Sequence, residues 1–81
     1  MVYPNPAGEQ VTIGFNNTGA QKVTIELLDL SGRLVEQIDS RNMPAGVQTF
    51  DWNASHVEAG TYLVRIRSEL FSDTHPLIIR K

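Results

Sequence analysis

Hydrophobic and polar residues alternate with a period of two along most of this chain, and clusters of Gly, Pro, Asn, Asp and Ser interrupt the alternation. That pattern predicts short strands with one buried face, because successive side chains of a strand point to opposite sides. In QVTIGF, Val11, Ile13 and Phe15 share a face. KVTIELLDL repeats the pattern through Val23, Ile25 and Leu27 until adjacent Leu27 and Leu28 break it. A β-bulge, or burial on both faces, accounts for such a break. Ser31–Gly32 predicts a two-residue turn into RLVEQID, so these two runs form a hairpin. Phe50 and Trp52 share a face in GVQTFDWN, and NASHVEAG predicts one turn of helix capped by Asn53 or Ser55. The clearest strand is GTYLVRIRSE, with Tyr62, Val64 and Ile66 on one side and Thr61, Leu63, Arg65 and Arg67 on the other. LFSD turns the chain and THPLIIRK closes it as a short strand. Pro76, having no N–H for a ladder, belongs there at an edge or a bulge.

Six or seven short strands at spacings of roughly 8–12 residues, with no amphipathic helix, predict an all-β, immunoglobulin-like β-sandwich of two antiparallel sheets. The start of the chain does not fit the alternation. In YPNPAG, Pro4 and Pro6 each fix φ and remove a donor, and they push Tyr3 and Asn5 toward extended conformations. The segment therefore predicts a stiff linker end, Tyr3 to Pro6, rather than a strand. Residues 1–8 are assigned to a linker end and lead-in, and residues 9–81 to a single sandwich. With 81 residues the chain buries one core, and without cysteine that core must hold by packing alone. No segment has the length of a transmembrane helix, and the amino end has no secretory n-region and h-region.

The net charge of −2 lacks the basic footprint of a nucleic-acid binder. Charge is unevenly spread: residues 1–60 hold three bases and seven acids, and residues 61–81 hold four bases and two acids. Two strands with solvated outer faces account for the basic end. Candidate chemistry is sparse. The serines lie mostly in turns, His56 and His75 have no triad or ligand spacing, and no phosphate-cradling glycine loop occurs. Asp29, Asp39, Asp51 and Asp73 are too dispersed for a calcium loop, so neither metal nor cofactor is expected. Phe15, Phe50, Trp52 and Tyr62 fall in step with the apolar positions and read as core rather than as a sugar platform. Leu70 and Phe71, at a turn, either fold back onto the core or form a contact site, and folding back is the preferred reading.

Taken in order, YPNP, DLSGRLV (Asp29 to Val35), MPAG (Met43 to Gly46), FDWNA (Phe50 to Ala54), AGTYLVRI (Ala59 to Ile66) and the basic close IIRK resemble one known family. It is the C-terminal sorting domain of the type IX secretion system, the Por secretion family of Bacteroidota. The likeness runs from Tyr3 to Lys81. Two stretches depart from the family pattern: the turn ELFSD, and Thr74–His75–Pro76 ahead of the last apolar run.

The resemblance implies a non-catalytic, folded signal. Such a domain follows a passenger protein in the parent chain and directs it across the outer membrane, for release or cell-surface attachment. The implied partners are the outer-membrane secretion translocon and a sortase-like peptidase that removes the domain. Translocon recognition is implied at Gly60, Thr61, Tyr62, Arg80 and Lys81, with Gly32 and Arg33 at the hairpin. Gly60 is expected to free the backbone ahead of the strand, Tyr62 to enter the core, and Lys81 to end the chain as a charged tip. A monomer or a weak edge-strand dimer is expected. The other reading open to the residues is an immunoglobulin-like module for a carbohydrate or protein partner. The immunoglobulin-like domain of the flagellar hook-capping protein shares the same Gly–Arg hairpin and Gly–x–Tyr strand.

Overall fold

The computed structural model describes all residues from Met1 to Lys81 and contains seven strands and no helix. They are β1 (Val2–Tyr3), β2 (Gln10–Asn17), β3 (Gln21–Leu28), β4 (Leu34–Met43), β5 (Gly46–Asn53), β6 (Gly60–Arg67) and β7 (Ser72–Ile79). β1, β2 and β5 form a three-stranded sheet in the order β1-β2-β5, and the other four form a second sheet in the order β4-β3-β6-β7. Every strand pair in both sheets is antiparallel. The expected two-sheet, immunoglobulin-like sandwich is what the chain forms.

Alternation produces this arrangement because each sheet is covered by the other on one side only. β2 buries Val11, Ile13 and Phe15; β3 buries Val23, Ile25 and Leu27; β6 and β7 add Val64, Ile66, Leu77 and Ile79. Trp52 closes the core from β5, and Phe50 and Tyr62 are half-buried against it. Phe71 folds back onto the same cluster, with its ring centroid 6.3 Å from that of Phe15. Leu70 beside it stays in solvent. Pro76 lies in β7, at the edge of its sheet.

The break at Leu27–Leu28 has both of its expected causes. The β3–β4 register shifts between Ile25 and Glu26 and again between Leu27 and Leu28, and both leucines are buried. Leu27 faces the core, while Leu28 lies on the outer face between its cross-strand partners Leu34 and Leu63.

Three local expectations need correction. Ser31–Gly32 is part of a longer connection: residues 29–33 join β3 to β4, because the Asp29 carboxylate accepts from the backbone N–H groups of Ser31 and Arg33 and organises the loop around itself. Gly32 takes a φ of +89°, which side chains other than glycine rarely adopt. Residues 53–59 hold no helical turn. Asn53 Oδ1 accepts from Ser55 N–H at 2.9 Å, and Ala54 donates its own N–H to Glu9 O, so the backbone is committed to a turn.

The third correction concerns residues 1–8. Rather than lying off the sandwich as a linker, they are built into it. Val2 and Tyr3 pair with Ile13 and Thr12, and Ala7 is buried in the core beside the last strand. The prolines do not prevent this, because the pairing residues lie just ahead of Pro4 and just behind Pro6. Both Tyr3–Pro4 and Asn5–Pro6 bonds are cis.

Trp52 is 6% exposed, so Trp52→Ala removes a large ring from a packed interior. We expect it to cost about 3–5 kcal/mol, read from urea unfolding followed by circular dichroism. Near-neutral behaviour would place the ring outside the core.

Candidate functional site

Strand register gathers the residues implicated by resemblance at one end of the four-stranded sheet. β3 leaves the sheet at Leu28, which pairs with Leu34 on β4 and Leu63 on β6. Gly60, three residues before Leu63, pairs with Ile79 at the close of β7. The 29–33 loop, the start of β6 and the end of β7 therefore share one end of the sheet. Gly32, Arg33, Gly60, Thr61, Tyr62, Arg80 and Lys81 all belong to it. Tyr3 sits in the opposite sheet, whereas Asn5 and Ala7 run alongside β7.

Within that end the side chains have different tasks. Tyr62 lies across from Leu77, on the inner face, and is half-buried. Its hydroxyl donates to Glu58 O at 2.7 Å. Gly60 does not adopt a positive φ; its contribution is space. A Cβ built there would meet Tyr62 Cε2 at 3.4 Å, so the ring lies back along the bare glycine. Lys81 does not project freely either. Its Nζ donates to Ser55 O at 2.6 Å and to Ala54 O at 3.1 Å, the latter also accepting from Val57 N–H at 3.0 Å, and an ammonium has three donors to share between them. Thr61 and Arg80 remain exposed. Arg33 is exposed too and pairs with Asp29 at 3.4 Å.

The outer face of this sheet is divided. Near the hairpin end its cross-strand rows are apolar: Leu34, Leu28, Leu63 and Pro76 stand side by side, followed by Thr61 and Ile78. Leu34 is 53% exposed, and Leu30 in the adjoining loop is 64% exposed. Farther along, the rows are polar: Gln37, Glu26, Arg65 and Thr74, then Ser40, Thr24, Arg67 and Ser72. Sequence reasoning missed the apolar strip because its members come from four strands and align only once the register is known. The doubled leucine at 27–28 was its one visible sign.

Glu26 is the electrostatic centre of the polar half. Its carboxylate is buried, and Oε1 accepts from Arg65 Nε at 2.9 Å and from Arg67 Nε at 2.8 Å. The hydrogen bond from Arg67, aided by Arg65, lowers the Glu26 pKa against the opposing effect of burial, and Glu26 in turn raises that of Arg67. The two arginines thus converge on one acid, instead of standing as separate solvated charges. Asp29 is held at about 2, chiefly by the Ser31 hydroxyl and the Arg33 backbone N–H.

His56 Nε2 lies 2.6 Å from Glu36 Oε1, and its ring meets Trp52 edge-on at 6.1 Å.

The family described as the secretion system C-terminal sorting domain matches residues 1–80 of the chain. No curated protein matches it.

Two predictions follow the charges. A carboxylate with a lowered folded pKa stabilises fully above its unfolded value of 3.8, and that contribution fades as pH falls toward about 2. Asp29→Asn should therefore flatten the decline in urea midpoint between about pH 4 and about pH 2, relative to the parent. Glu26→Gln leaves two neighbouring guanidinium groups without a counter-charge. It should cost about 1–3 kcal/mol in the same assay at neutral pH.

Proposed function

This chain belongs to the secretion-system C-terminal sorting domain family, and from that premise we propose that it acts as a folded export label without chemistry of its own. In this reading it directs a passenger joined at its amino end through the outer membrane by the type IX secretion system. Proteolytic removal of the domain then leaves the passenger released or attached to the cell surface. The outer-membrane translocon reads the domain and a sortase-like peptidase removes it. The single observation that carries the reading is the family match across residues 1–80. The gathering of Gly32, Arg33, Thr61 and Arg80 at one end of a rigid sheet supports it, because a signal read by shape needs a fixed surface.

The residues at that end divide into two groups by what they touch. Thr61 and Arg80 are free to meet a partner, and Arg33 is exposed beside its Asp29 counter-charge. Gly60, Tyr62 and Lys81 hold the end in shape through the ring-over-glycine contact and the two carbonyl bonds. The exposed Leu34 and Pro76, with half-buried Leu63 between them, add an apolar neighbour to the free group. Thr61 and Arg80 therefore contribute to recognition more than to stability, and Tyr62 the reverse.

A reporter fused ahead of residues 1–81 should reach the surface of a type IX-competent bacterium. Retention in the periplasm, under conditions where another member of the family exports the same reporter, would refute the reading. Within the working fusion, Thr61→Ala with Arg80→Ala should lower surface reporter by roughly tenfold, the equivalent of one weakened contact of about 1.4 kcal/mol. The melting temperature of the isolated domain should stay near that of the parent. Tyr62→Ala should lower both.

A further inference from the structure

We infer that residues 5–7 form a strap seated on the outer edge of β7, keyed by the Asn5 carboxamide, and that lifting this strap opens an edge able to pair with a second copy of the chain. In a parallel ladder, one residue donates its N–H to the residue before its partner and accepts from the residue after it. Ala7 does this around Ile79: its N–H donates to Ile78 O at 2.8 Å, and its carbonyl accepts from Arg80 N–H at 2.8 Å.

Asn5 makes the same pattern one step earlier, with its side chain in place of a backbone. Asn5 Nδ2 donates to Pro76 O at 3.1 Å, and Asn5 Oδ1 accepts from Ile78 N–H at 2.9 Å. The carboxamide thus acts as a surrogate rung around Leu77. Asparagine suits the position because its side chain carries a donor and an acceptor, as a peptide group does. Aspartate would keep only the acceptor, and alanine neither.

Between Pro76 and Arg80, the two surrogate and backbone rungs occupy Pro76 O, Ile78 N–H, Ile78 O and Arg80 N–H. Pro76 itself brings no N–H to that edge. The cover is therefore continuous over the last rungs of the sheet. Unpaired groups on an edge strand are a template for another strand, and these four become such a template once the strap is lifted. The covered stretch includes Ile78 and Arg80, so the strap also borders the proposed recognition end. That consequence rests on the sorting reading, whereas the strap does not.

The test uses the full chain with amide hydrogen exchange followed by NMR. Asn5 is exposed and outside the core, so Asn5→Ala leaves the packing intact. It should speed exchange at the Ile78 and Arg80 amides by about tenfold or more, while amides in the β2–β5 ladder keep the parent rates. Asn5→Asp, which retains the acceptor, should leave Ile78 slower to exchange than Asn5→Ala does. Sedimentation equilibrium should show stronger self-association for Asn5→Ala than for the parent. Parent-like exchange at Ile78 and Arg80, or acceleration spread evenly over all strands, would overturn the strap. An opened edge without any gain in self-association would overturn the claim that the edge accepts a second copy.

Discussion

The clasp of Arg65 and Arg67 on Glu26 joins β3 to β6 on the outer face of the larger sheet, directly behind the core residues Ile25 and Leu27. β3 is paired on both sides and buried on both faces, with Thr24, Glu26 and Leu28 covered outside as Val23, Ile25 and Leu27 are inside. A slip of one residue would carry Glu26 into the core and expose the apolar set, so the clasp and the core demand the same register. Charge and burial fix one alignment from opposite sides of a strand. Every other placement in the sheet is measured from it.

Once that register is fixed, the hairpin end is assembled without further instruction. Leu28 against Leu63 sets how far β6 extends beyond β3, and Gly60 against Ile79 sets where β7 stops. Local devices then hold the loose pieces. Asp29 gathers the 29–33 loop through two backbone N–H groups and the Ser31 hydroxyl, and the Lys81 ammonium ties the chain end to the 54–55 carbonyls. A group that must be presented to a partner gains from this, because little ordering is left to be done on contact. In a chain without cysteine, such polar ties take the place a disulfide would otherwise fill.

What could be read from the sequence was whatever depends on a period of two. Val11, Ile13 and Phe15, or Val64 and Ile66, are buried where alternation puts them, and the sandwich follows from their number and spacing. What depends on contacts distant in sequence could not be read. Lys81 looks like a free charged tip until the 53–57 turn is known to pass beneath it. Gly60 looks like a backbone hinge, yet its bare Cα serves the Tyr62 ring two residues later. Pro4 and Pro6 read as breakers of structure, which each is at its own position. The residues that pair lie outside the prolines, and Asn5 between them pairs by its side chain, which backbone rules do not anticipate. The arginines at 65 and 67 read as solvated because their acid lies some forty residues away, at |i−j| of 39 and 41.

The two edges of the larger sheet are protected by different means. On β4, positions facing inward opposite Val23, Ile25 and Leu27 are Arg41, Asp39 and Glu36. Arg41 pairs with Asp39 at 2.9 Å and lies over the Phe50 ring at 5.4 Å, and Glu36 meets His56. Inward-pointing charges are tolerable on a rim strand, and they make a further strand laid against it costly, since the added strand would bury them more deeply. Together with two register shifts along its ten residues, they leave β4 a poor template. β7 carries polar groups on that side only in its first half, where Asp73 and His75 stand opposite Ile66 and Val64; in its second half the inward positions are the apolar Leu77 and Ile79. An edge that clean has to be covered rather than spoiled, and residues 5–7 provide the cover. The stretch that first looked least structured thus covers the half of β7 that has no inward charge to protect it.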